Sequence, residues 1–81
     1  MRRLGRVLHV SSMTGNIIVK AQTLPRVGEK VYDGELRFIG SVFDVFGPVS
    51  SPYVAVKPRF PLTKLPKTLF LPEPSRKGKR R

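Results

Sequence analysis

Apolar positions along this 81-residue chain come in short bursts separated by glycine, proline and asparagine. Between Arg3 and Met13 the chain sets Leu4, Leu8 and Val10 against Val7, with Arg6 and His9 between them. Thr14-Gly15-Asn16 then forms a cluster suited to a hairpin turn. Asn16 to Ala21 (NIIVKA) is dense in β-branched residues and predicts a buried return strand. Leu24-Pro25-Arg26-Val27-Gly28 breaks it, because Pro25 lacks a ladder donor and Gly28 permits a turn. Val31-Tyr32 predicts a short strand turned by Asp33-Gly34. Leu36 to Phe46 predicts the longest strand, with Gly40 inside it marking a bulge or sharp coil. Tyr53 to Lys57 follows the Gly47-Pro48 corner. Pro58, Pro61 and Pro66 make residues 59–67 an irregular crossing, and Thr68 to Leu71 is a last short strand closed by Pro72 and Pro74.

No stretch carries a capped apolar period of 3.6, and seven of the eight prolines follow residue 47, which disfavours helices there. Five to six short strands predict an all-β fold. They are too few for two good sheets, and closure removes edges that so small a chain cannot cover, so a barrel is expected. It would occupy residues 1–74. Residues 75–81 hold no hydrophobic side chain and are expected to form a flexible, disordered tail.

Charge changes this picture only at the ends. The net charge is +11, but Arg76, Lys77, Lys79, Arg80 and Arg81 crowd the last six residues, and Arg2 and Arg3 open the chain. Residues 4–75 hold nine basic and five acidic groups, a net of +4. A basic tail attracts polyanions without reading them, so an RNA-proximal role is expected for it. The chain has no cysteine, which excludes disulfides and thiolate metal sites. No apolar run is long enough to cross a membrane, and the first ten residues lack the apolar length and cleavage site of a secretory signal. A cytoplasmic protein with no membrane association is expected.

Catalytic chemistry is hard to find. His9 stands alone in an alternating strand, without partners at metal-ligand spacing. Among Glu29, Asp33, Glu35, Asp44 and Glu73 no acid–base pair is evident, and Ser50 and Ser51 have no base at a recognisable offset. No glycine-rich phosphate cradle is present. The expectation is a non-enzyme with no catalytic residues, no metal, no cofactor and no small-molecule ligand.

The stretch GSVFDVFGPVSSPYVAV (40–56) is where function is expected. Alternation sets Val42, Asp44 and Phe46 on one face and Phe43 and Val45 on the other, apolar on both sides. One face would pack the core and the other, with its loop, would meet a partner. Asp44 could accept hydrogen bonds from the N–H groups of the Gly47-to-Ser51 turn, or stand exposed and select a partner's cation. The loop could fold back as a plug over the barrel end. Alternatively, Phe46, Gly47, Pro48, Val49, Pro52 and Tyr53 could form a rigid docking tip, stiffened by proline and anchored by aromatics.

Residues 44–58, DVFGPVSSPYVAVKP, resemble the signature of the archaeal Gar-family (glycine-arginine-rich protein) subunit of H/ACA small ribonucleoproteins. The likeness extends to RLGRVLHV at 3–10, to NIIVKA and to KVYDGELRFIGSV at 30–42, covering Arg3 to about Leu71. The resemblance implies a six-stranded barrel of the translation-factor kind. It implies docking on the catalytic domain of a dyskerin-like pseudouridine synthase within an H/ACA guide RNA complex, with RNA contact indirect or through the tail. Such a subunit would influence a mobile loop of the synthase and promote substrate loading and product release in rRNA pseudouridylation. The chain departs from eukaryotic members in having Phe43 before a single Asp44 where they carry two acids. It also lacks their Gly-Arg repeats, for which only Arg76 to Arg81 could stand in, and both departures point to the archaeal type.

Two other readings compete. In a direct RNA-binding barrel, Phe38, Phe43 and Tyr53 would form a stacking platform, with Arg37, Lys57 and Arg59 on phosphates. A ribosome assembly factor would use a small barrel and a basic tail in the same way.

Overall fold

The structure, a computed structural model, describes residues 2–59 and 64–72. The expected tail at 75–81, its boundary at 74 and part of the 59–67 crossing lie outside these residues. Within them run six strands and no helix: β1 (Arg2–Val10), β2 (Ile17–Ala21), β3 (Lys30–Tyr32), β4 (Phe38–Phe46), β5 (Tyr53–Pro58) and β6 (Thr68–Leu71). They close into an antiparallel barrel in the order β1-β2-β5-β4-β3-β6.

Alternate positions supply the core. Ile17 and Val19 of β2, Val54 and Val56 of β5, and Leu69 and Leu71 of β6 are fully buried, joined by Leu4, Val31 and Val42. A period of two is what a wall with one dry face demands. Each such side chain contributes about 1.5–3 kcal/mol by leaving water. Among the described residues the core is wholly aliphatic. Tyr32, Phe38, Phe43, Phe46, Tyr53 and Phe70, the aromatics of the described residues, all stay outside it.

Simple alternation fails where strands bulge. Between β4 and β5 the register steps from Val42↔Val56 to Asp44↔Ala55, so Phe43 is an extra residue. The insertion flips parity. Val42 and Val45 therefore both reach the core, while Phe43, Asp44 and Phe46 face out. The expected split, with Phe43 and Val45 sharing a face, is overturned by that one residue. In β1 the register likewise steps from Val7↔Val19 to His9↔Ile18, leaving Leu8 extra. Leu8 and Val10 are exposed, and Val7 packs on the core. Gly40 is not itself the extra residue. The shift between β3 and β4 falls at Ile39, between Val31↔Gly40 and Tyr32↔Phe38. Gly40 is needed for a different reason: a Cβ there would lie 2.0 Å from the Lys57 carbonyl oxygen.

Strand polarity sorts the connections between the two barrel ends. The β4–β5 loop, the start of β1 and the end of β6 share one end, and the β1–β2 hairpin and the β3–β4 turn share the other. At the first end the Arg2 guanidinium donates to the Pro72 carbonyl (3.1 and 3.3 Å) and to Glu29 Oε2 (2.8 Å), tying β1, β6 and the β2–β3 loop together.

Candidate docking tip and outer aromatic surface

The β4–β5 connection is short and internally braced. Phe46 and Tyr53 face each other across the last registered pair, and their rings stack at 5.8 Å with planes 26° apart. Between them Ser51 N–H donates to the Pro48 carbonyl (3.1 Å), forming a tight turn. Ala21 N–H donates to the Pro52 carbonyl (3.0 Å), fastening the loop to β2. Gly47 adopts φ +91°, a left-handed conformation that side chains resist, and a Cβ there would lie 2.9 Å from Tyr53 Cδ2. Glycine thus lets the ring pack flat beneath the turn.

This loop does not fold back over the core. Val49 is 94% exposed at its apex, Phe46 is 44% exposed, and Phe43 on the bulge is 56% exposed. Pro48 is exposed, while Pro52 and Tyr53 are half-buried as footings. The six residues expected to form a tip lie together in one structure, and the Phe43 bulge extends their apolar surface down the outer wall of β4.

Asp44 does not brace the loop. Its Oδ1 accepts from the adjacent Val45 N–H (2.9 Å), and the side chain is exposed. The bulge turns it outward beside Phe43, away from the Gly47-to-Ser51 turn, so of the two expected placements it takes the exposed one. The capping carboxylate of this protein is Asp33, at the opposite end of the barrel. Its Oδ1 accepts from Glu35 N–H (2.8 Å) and Arg37 N–H (2.9 Å), and its Oδ2 pairs with Arg37 Nε at 3.3 Å. Burial pushes this carboxyl up, but the two backbone donors and the Arg37 charge outweigh it and hold its pKa below the usual carboxylate range. Arg37 also pairs with Glu35. An Asp-Gly step with Arg four residues on was the sequence signal for this cap, and it reads only as a turn until the third dimension is known.

The stacking platform of Phe38, Phe43 and Tyr53 does not form. Phe38 and Phe46 start and end β4, about 25 Å apart at roughly 3.3 Å per residue. The aromatics instead divide into two groups. Phe43, Phe46 and Tyr53 surround the tip. Phe70, Tyr32 and Phe38 form a row across β6, β3 and β4. Of the expected phosphate contacts, Arg37 is engaged by Asp33 and Glu35, Arg59 lies over Phe38, and Lys57 is exposed. Among the described residues no group of three His, Asp or Glu side chains could hold a metal, and no helix is long and apolar enough to cross a membrane.

Comparison with known proteins places these features in a family. A curated protein of Methanothermobacter thermautotrophicus, described only as uncharacterized, is 38% identical over 58 residues, which are 72% of this chain. The chain spans 62% of that relative's length. The family described as the Gar1/Naf1 RNA binding region matches residues 1–69, which hold β1 to β5, the tip and the start of β6 but stop short of Phe70. That description concerns RNA binding and names no catalysis, so an RNA-associated role follows from it. The chain belongs to the Gar1/Naf1 RNA-binding-region family.

Proposed function

We propose that this protein is a non-catalytic accessory subunit of an H/ACA RNA-guided pseudouridine synthase complex. It docks on the catalytic domain of a dyskerin-like synthase through the tip of Phe46, Pro48, Val49 and Tyr53, and promotes substrate loading and product release. One observation carries the docking claim: an apolar loop stands in water, yet is braced by a stacked ring pair and two backbone hydrogen bonds. A small monomer seldom displays such a surface without a use. A rigid tip also loses little entropy on binding. Family membership supports the RNA setting and the absence of catalysis in this subunit.

The test is a charge at the apex. Pro48→Asp or Val49→Asp should leave the melting temperature within the range of ordinary surface substitutions, about 0.5 kcal/mol or less. An unpaired carboxylate buried in an interface costs several kcal/mol, so synthase affinity should fall roughly a hundredfold or more. Pull-down and melting on the same variants measure both effects. Unchanged capture of the synthase by a folded Val49→Asp chain overturns the docking claim.

A further inference from the structure

The barrel wall away from the tip carries side chains that closure does not require. β3 joins β6 through one registered pair, Tyr32↔Phe70. The register continues that row to Arg3 of β1 on one side and Phe38 of β4 on the other. Tyr32 and Phe38 rings meet at 5.8 Å, tilted by 57°, and the Arg59 guanidinium stands 5.5 Å above the Phe38 centroid. The outer face of a sheet in water is ordinarily polar. Here three half-buried aromatics on adjacent strands lie between two arginines. The next outward row reads Lys30, Ser41 and Lys57. Among the described residues Arg3, Lys30, Lys57 and Arg59 make no ion pair, whereas Glu29 pairs with Arg2, and Asp33 and Glu35 with Arg37; Asp44, exposed on β4 beyond Ser41, makes none.

We propose that this row is a binding site for single-stranded RNA. Unpaired bases stack on Phe70, Tyr32 and Phe38, and the backbone phosphates lie against Arg3 and Arg59 and the two lysines of the adjoining row. The combination selects the ligand. Partly exposed aromatic rings, flanked by cations that make no ion pair among the described residues, suit a polyanion that carries its own aromatic rings. A protein partner would have to desolvate those cations or bring matching carboxylates. A duplex hides its base faces, which confines the site to single strands. The site stands apart from the docking reading, since it uses β6, β3 and the far end of β4 from the tip. One small barrel can therefore hold RNA on one wall and protein at the other.

Tyrosine emission tests it in the full chain. The protein has two tyrosines and no tryptophan, so a Tyr53→Phe chain reports on Tyr32 alone. Titration with an oligouridine of about 12 nucleotides, within the usual span of a small barrel, should quench Tyr32 at about 0.15 M salt. Duplex RNA of equal length should not quench it. Phe38→Leu and Phe70→Leu keep apolar volume and remove the π face, and each should weaken oligouridine binding about tenfold, within the range for one lost stack. Arg59→Gln, which leaves the aromatics in place, should weaken binding and lower the salt slope by about one contact. Binding with Tyr32 emission unchanged would assign the RNA to the tail and overturn the site. So would equal quenching by duplex, or Leu variants that keep their RNA affinity but lose a protein partner.

Discussion

Two turns leave β4 at opposite ends of the barrel, and both contain a residue with left-handed backbone. At the β4–β5 tip that residue is Gly47, at φ +91°. At the β3–β4 turn it is Leu36, at φ +65°. The charged turn is held from within by a buried carboxylate that collects two N–H groups and a guanidinium. The apolar tip has no such cap. It is held from below, by a ring stack and by hydrogen bonds to its own backbone and to β2. The difference separates two uses of a loop. Polar capping consumes the charges of its own turn and serves the fold, whereas bracing beneath leaves the apolar apex in water, as the proposed docking requires.

Removing the polar cap tests the first half of that contrast and should have the largest effect on stability. Asp33→Ala strips two charge-assisted hydrogen bonds and an ion pair from a site only 9% exposed. Bonds to charged groups contribute roughly 1.5–3 kcal/mol each, and water can restore part of that at a turn. A loss of about 3 kcal/mol lowers the melting temperature by roughly 10–20 °C in a domain of this size. Synthase capture at a temperature where the variant is folded should be unchanged. Acid should act in the same direction as the substitution. Because the folded pKa of Asp33 lies below the ordinary value of about 3.9, its contribution is complete above that pH and disappears as pH falls through the folded pKa. The parent should lose melting temperature below about pH 4, and Asp33→Ala should show less acid sensitivity. Equal acid sensitivity in both chains would remove Asp33 from the account.

The next effect is smaller in stability and larger in binding. Gly47→Ala places a methyl group 2.9 Å from the Tyr53 ring on a backbone at φ +91°. Left-handed backbone alone costs a side chain about 1–2 kcal/mol, so the melting temperature should drop by roughly 5–10 °C. The ring must also move, which tilts the tip away from the geometry proposed to dock. Gly47→Ala should therefore lose synthase affinity while folded, as Asp33→Ala does not. If both variants lose binding equally, the division between fold-serving and partner-serving turns fails.

The same contrast shows what could be read from the chain. β2 and β5 pair without a register shift, and there the expected strands form where the chain predicts them, with Ile17, Val19, Val54 and Val56 in the core. β1 and β4 were placed correctly as strands but not as faces, because the extra residues Leu8 and Phe43 are themselves apolar and look like core. A bulge is set by twist between neighbouring strands, and no local composition announces it. The tip was legible because its prolines and aromatics are contiguous in sequence. The Phe70–Tyr32–Phe38 row was not, because its members come from three separated segments that meet only on barrel closure. Asp33 and Asp44 illustrate the same limit. Each precedes a turn or loop, and only the strand register decides which carboxylate points into one.

The smallest effect runs in the opposite direction. Leu36 is 66% exposed and sits at φ +65° inside the Asp33–Arg37 turn, so its side chain gains little from burial and strains the backbone. Asparagine tolerates left-handed backbone far better than leucine. Leu36→Asn should therefore stabilise the barrel by about half a kcal/mol or more, a rise of roughly 2–4 °C in melting temperature. Glycine gives a more ambiguous result, since its freedom in the unfolded chain offsets the relief of strain. The useful comparison is Leu36→Asn in the Asp33→Ala background. There the turn is no longer capped, the left-handed residue is free to relax, and the gain should shrink toward zero. A full gain in that background would mean the strain at Leu36 is independent of the carboxylate, and that the turn is held by the strand ends instead.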